Sequence, residues 1–144
     1  MKDEERARLL LSQDEINDAW ATISLFNDKN DFIINRAIIF SSIVMYCRPF
    51  KRNNTNNGTI DQKVDFESFN FSDDVNILHN NIIAFRDKII AHSDGSFHDV
   101  QLIKGYKNMR IQNTFPYYEL FEFGKKLKSH FEIVLNMLYE RIKE

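Results

Sequence analysis

Near the middle of the chain the segment RDKIIAH joins a permanent cation, a carboxylate and a titratable ring: Arg86, Asp87 and His92. An imidazole whose unperturbed pKa is about 6.5 takes up and releases protons near neutrality. A guanidinium stays charged and offers paired donors to an oxyanion. Together the two side chains can move a proton while holding negative charge. His79, Lys88 and Asp94 lie close by in sequence and are the accessory candidates. The remaining histidines, His98 and His130, read as surface or packing residues. A metal site built from His79, His92 and Asp94 matches no standard ligand spacing, and no metal or cofactor is expected. No phosphate-cradling Gly-rich loop, HExxH zinc signature or GxSxG elbow occurs in the sequence.

The element that positions these residues runs from Ser72 to Gly95. Ser72 can cap a helix whose first turn carries Asp73 and Asp74, where the helix dipole favours negative charge. Gly95 is a natural stop. Between them Val75, Leu78, Ile82, Phe85 and Ile89 step by three and four, the seam of a core-facing helix. His92 is the next seam position. A second row, His79, Ile83, Arg86 and Ile90, runs beside the seam. An arginine and two histidines thus lie on or beside an apolar face, where solvation alone would not put them. A satisfied core histidine is the simpler account of His79.

The rest of the chain reads as helices around this one. Residues 2–11 form a charged opening helix, and Ser12-Gln13-Asp14-Glu15 fits a capping box that starts the next, presenting Ile16, Trp20, Ile23 and Phe26. Asp31 to Phe50 is apolar almost all round, a central bundle helix ended by Pro49. Arg36 interrupts it, and either leaves at a helix edge, pairs with an acid or helps line a site. Lys51 to Phe71 is a long connection whose VDFESFNF end packs back onto the bundle. FHDVQLI and YKNMRIQ suggest a short β-hairpin. Pro116 opens a last helix to about Lys143, with Leu120, Phe123, Leu127, Phe131, Val134, Leu138 and Ile142 as its buried stripe. The expected fold class is all-α, a four- to five-helix bundle of one domain over residues 1–144, with the hairpin between the last two helices.

Composition agrees with a packed helical domain. Of 144 residues 43% are apolar, and there are thirteen Phe but only four Gly and two Pro, which favours long helices over tight turns. Cys47 is the single cysteine, so no internal disulfide forms, and its apolar context makes it a buried small hydrophobe. The charged N-terminus has no signal-peptide core and no apolar run reaches membrane-spanning length, so a cytoplasmic protein without a membrane partner is expected, and the two Asn-X-Thr sequons carry no weight. The net charge of −2 argues against a basic nucleic-acid glove. Lys125, Lys126 and Lys128 cluster on the last helix, as a solvated face or a phosphate contact.

RDKIIAH resembles the R-x(4–6)-H motif of the HEPN superfamily, in which the residue after the arginine is typically Asn, Asp or His. The continuation AHSD, at the end of a bundle helix and before a long last helix, is similar to HEPN members of abortive-infection type. The resemblance covers most of the chain in helix order and length, and its sharp part is the seven-residue motif. It implies a metal-independent endoribonuclease, a toxin or phage-defence effector that cleaves RNA by attack of the 2′-OH and leaves a 2′,3′-cyclic phosphate and a 5′-hydroxyl. In that reading His92 shuttles protons, Arg86 neutralises the phosphorane and Asp87 orients one of them or assists the substrate hydroxyl. Within one regular helix Arg86 and His92 lie about 120° apart and ~9 Å along the axis. Either the last turn unwinds at Ser93-Asp94-Gly95, or the site is composite across a dimer. The resemblance favours a homodimer, with RNA as substrate and an antitoxin or neighbouring defence protein as a further partner. Three other readings stand beside it. Arg86 can pair with a carboxylate while His92 caps the helix end; the domain can be a catalytically inactive HEPN-like module for dimerisation or partner binding; or a pocket between the aromatic-rich helices can take a small molecule or nucleotide.

Overall fold

The computed structural model describes residues 1–51, 63–90, 98–101, 110–113 and 117–144. Helix α1 spans Asp3–Ile23, with Asp3, Glu4 and Glu5 in its first turn facing the positive end of the dipole. Its buried positions Leu9, Ser12, Ile16, Ala19 and Ile23 step by three and four, so one stripe of the helix turns inward. The expected break at Ser12 is not there. Ser12 is fully buried in mid-helix, and its hydroxyl donates to the Arg8 carbonyl at 2.8 Å. With the backbone already helical the serine has no orphan N–H to cap, and it bonds back one turn instead.

Helix α2 covers Phe32–Cys47 and tightens into a 3-10 turn at Arg48–Phe50. The link from α1 is held by Asn35, which is almost fully buried. Its amide donates to the Asn27 carbonyl at 2.8 Å and accepts from Asn30 at 3.0 Å. At the other end the Pro49 carbonyl accepts the Val64 amide at 2.8 Å and the Arg8 guanidinium at 3.0 Å. One short turn, with Pro49 and Phe50 buried, thus ties α1 to the return of the chain. The returning segment packs as expected, with Val64, Phe66 and Phe69 buried around a second 3-10 turn, Phe66–Phe69. Arg36 is partly buried on α2, with its guanidinium 5.8 Å from the Phe40 ring centre.

Helix α3 spans Asp73–Ile90 and α4 spans Tyr117–Lys143. Helix α1 lies along α2 and α4, and α2 packs on α3. The shared core joins Ile16, Ala19 and Ile23 to Ile39, Ile43 and Tyr46, to Ile82 and Phe85, and to Leu127, Phe131, Val134 and Leu138. Trp20 adds a rim contact, its indole N–H donating to Glu132 at 2.9 Å across α1 and α4. Among the described residues no helix is long and apolar enough to cross a membrane.

The expected fold class needs correction. Among the described residues the bundle is built from four α-helices, the lower end of the expected four to five, and the expected β-hairpin is not part of it. The backbone of β1 (His98–Gln101) and β2 (Arg110–Asn113) forms a short antiparallel ladder between α3 and α4, with His98 opposite Asn113. Among the described residues that ladder is a two-stranded sheet with no further strand paired to it. The fifth helix disappears because the polar sequence around Ser12 extends α1 rather than dividing it.

Helix α4 comes close to the α1–α2 link at Gly124. A Cβ there would meet three atoms of the Phe26 ring at 2.8, 2.9 and 3.0 Å. Gly124→Ala gains about 1 kcal/mol of helix propensity, but the contact is with the rigid edge of a packed ring. The expected outcome is a net loss of about 1–2 kcal/mol in chemical denaturation. Combining it with Phe26→Leu should recover most of that loss.

Candidate functional site

Two polar clusters lie along α3, and they differ in kind. The first is at its C-terminal end. Asp87 accepts from Lys51 at 2.9 Å through one carboxylate oxygen and from the adjacent Arg86 at 3.1 Å through the other. Lys51 arrives from the end of the first 3-10 turn, so this cluster joins α3 to the close of α2. The side chains of Arg86, Lys51 and Asp87 are 30%, 33% and 44% exposed, which leaves both cations reachable from solvent. Partial burial pushes the Asp87 carboxyl up. The hydrogen bonds and charges of Lys51 and Arg86 outweigh this and hold it below the usual carboxylate range. Asp87 is therefore ionised at neutral pH and aligns two cations side by side. Such a pair of cations suits a phosphate-sized anion.

Cys47 lies beneath this cluster, 1% exposed, with its thiol pushed up to about 12 by burial. It is a protonated packing residue, as its apolar sequence context suggested. Of the other candidates, the side chain of Lys88 and the whole of His92 and Asp94 lie outside the described residues. The pairing of Arg86 with Asp87 is in place, and the relation of either to His92 is not part of what is described.

The second cluster is in the core. His79 is 6% exposed and stacked on Phe66, with ring centres 3.6 Å apart and planes 2° from parallel. Its Nδ1 lies 2.7 Å from the Tyr46 hydroxyl, and the same hydroxyl lies 2.8 Å from Nε2 of His130. Tyr46 and His130 are 0% and 2% exposed. Burial lowers both imidazoles to about 4, with the neighbouring His130 adding to the effect on His79. Both rings are neutral at pH 7. Burial also drives the Tyr46 phenol well above its ordinary value, so the hydroxyl keeps its proton.

That single proton has a consequence. A phenol donates once, so if it donates to one ring, the other ring must present an N–H to the oxygen. Because Nδ1 of His79 and Nε2 of His130 face the hydroxyl, the two histidines consequently hold the same tautomer, both Nε2–H or both Nδ1–H. His79 also lines a cavity of about 630 Å³ beside the second 3-10 turn, and His130 lines a cleft of about 390 Å³ between α3 and α4. His79 and Arg86 are seven residues apart, which puts them on one side of α3 about 10.5 Å apart along the axis. The accessory histidine is thus two turns from the arginine and already committed to Tyr46.

Lys51, Tyr46 and His130 were not singled out by sequence. Lys51 meets Asp87 across a separation of 36 residues that no local pattern encodes. His130 did carry a signal, because it falls three residues after Leu127 and four before Val134 on the buried stripe of α4. No family model matches the chain, and neither a curated protein nor a solved structure matches it.

Tyr46→Phe removes the hydroxyl and leaves two buried ring nitrogens without it. The expected cost is about 1–3 kcal/mol in urea or thermal unfolding, with little change in helical signal. The histidines also predict a pH dependence. Their folded values lie near 4 and their unfolded values near 6.5, so between these limits the unfolded chain binds more protons. Stability is then full above about pH 6.5 and falls as pH drops toward 4, by on the order of 2 kcal/mol per ring at pH 5. Denaturation midpoints from pH 7 to pH 5 check this, and replacing both histidines should flatten the slope.

Proposed function

We propose that this protein is a metal-independent endoribonuclease of HEPN type, acting in the cytoplasm as a toxin or phage-defence effector. The observation that carries the reading is the pairing of Arg86 and Lys51 around Asp87 at the end of α3, inside the RDKIIAH motif. A partly exposed guanidinium beside a second cation suits a phosphodiester whose negative charge grows in the transition state. Asp87 keeps Arg86 aimed and is itself held ionised. His92 supplies the proton transfer: it takes the 2′-OH proton as that oxygen attacks phosphorus, and the 5′-oxygen leaves with a proton from the same ring or its counterpart. A homodimer brings two such motifs to one groove, which answers the 120° offset of Arg86 and His92 on a single regular helix. An antitoxin or neighbouring defence protein covering that groove would restrain the activity.

A second reading, an inactive HEPN-like module for dimerisation or partner binding, is favoured by one observation. Both oxygens of Asp87 are engaged by cations of the same chain, as in a structural ion network.

Purified protein incubated with single-stranded RNA in EDTA separates the two. The nuclease reading expects 5′-hydroxyl and 2′,3′-cyclic phosphate ends, with His92→Ala and Arg86→Ala each at least about 100-fold slower. Lys51→Ala should weaken RNA binding more than it slows the chemical step. Absence of cleavage, or cleavage unchanged in His92→Ala, overturns it and leaves the binding module.

A further inference from the structure

The cavity at His79 is not needed by a phosphodiester site at Arg86, and its lining has a chemistry of its own. We propose that it is a binding site for an uncharged adenine-type base or nucleoside. Its volume of about 630 Å³ falls within the usual range for small-molecule sites. One wall is aromatic: Phe66 and Phe71 stack with ring centres 4.8 Å apart, and Phe50 stands edge-on to Phe66. Phe66 and Phe50 are buried, while Phe71 is only partly covered. A flat ligand can therefore extend an existing stack rather than create one.

The polar groups are those that read a base edge. Asn70, Asn76 and Asn80 line the same cavity. Asn76 and Asn80 are four residues apart on α3 and so share a face with His79. The Asn76 amide donates to the Phe71 carbonyl at 3.1 Å, which fixes its orientation and leaves its oxygen as an acceptor. A carboxamide pairs a donor with an acceptor at the spacing of adenine N7 and N6. His79 adds a buried contact. With Nδ1 committed to Tyr46, the ring atom left for a ligand is Nε2, and its role as donor or acceptor is set by the tautomer that Tyr46 and His130 impose.

Charge decides against a nucleotide. Among the described lining residues Lys63 is the one cation, against two carboxylates, Asp65 and Glu67. A phosphate would meet net repulsion there, whereas a neutral base or nucleoside would not.

The test is a titration of the full chain with adenosine, followed by calorimetry and by the histidine ring resonances. Saturable 1:1 binding with a Kd at or below about 1 mM is expected, shifting His79 more than His130. Asn80→Ala, at an exposed position whose loss leaves the core intact, should weaken binding at least about tenfold. Lys125→Ala, on α4 and not among the residues lining this cavity, should leave it unchanged. AMP should bind more weakly than adenosine, and the difference should shrink in Asp65→Asn/Glu67→Gln. No saturation by adenosine overturns the proposal, as does binding unaffected by Asn80→Ala or AMP binding more tightly than adenosine. None of these outcomes depends on RNA cleavage, so failure here and failure of the nuclease reading are distinguishable.

Discussion

One hydroxyl hydrogen ties three helices together. Tyr46 on α2 reaches His79 on α3 and His130 on α4, all three nearly or wholly out of water. Buried polar atoms are tolerated only when bonded, and here each ring meets the phenol at close to an ideal distance. Around this point the aromatic side chains are ordered: Phe131 stacks on Tyr46 at 4.7 Å, and Phe50 and Phe66 close on His79. An apolar core of this size would tolerate small slips of α3 against α4. A hydrogen-bonded chain with one proton to share does not, because any slip strands a ring nitrogen.

That fixed register reaches the surface at both ends of α3. At the C-terminal end it sets Arg86 and Asp87 opposite Lys51, which the tight turn after α2 delivers. Toward the N-terminal end it holds His79, Asn76 and Asn80 against the aromatic segment that returns at Val64. The Pro49 carbonyl is the hinge of the arrangement, since it bonds both Arg8 of α1 and the amide of Val64. The charged cluster and the aromatic cavity thus share a scaffold while presenting opposite chemistries, one a pair of cations around a carboxylate and the other a wall of stacked rings.

Much of this was legible from the residues in order. The three-and-four spacing of Val75 to Phe85 marked α3, and Leu127, Phe131, Val134 and Leu138 marked the inner stripe of α4, because burial repeats with the helical period. Arg86 stood out because charge on an apolar side demands a reason, and Asp87 because it follows Arg86 in the RDKIIAH motif. Ser12 misled because a cap and a buried back-bonding serine share a local sequence, and only packing against α2 and α4 decides between them. The hairpin expectation followed strand-like alternation, and it needed correction because no described strand belongs to the helical bundle. Tyr46 and Lys51 were invisible for a different reason: their partners are 33 to 84 residues away, so their roles exist only once the helices have met.

The claim on which the arrangement rests is that Tyr46 lies between two neutral imidazoles, one accepting from its hydroxyl and the other donating to it. Long-range proton–nitrogen correlation spectra of the histidine rings at pH 6 test it directly. Neutral patterns for His79 and His130, one carrying its hydrogen on the nitrogen facing Tyr46 and the other on the opposite nitrogen, are predicted. An imidazolium pattern for either ring at that pH, or a bare nitrogen toward Tyr46 in both rings, would contradict it.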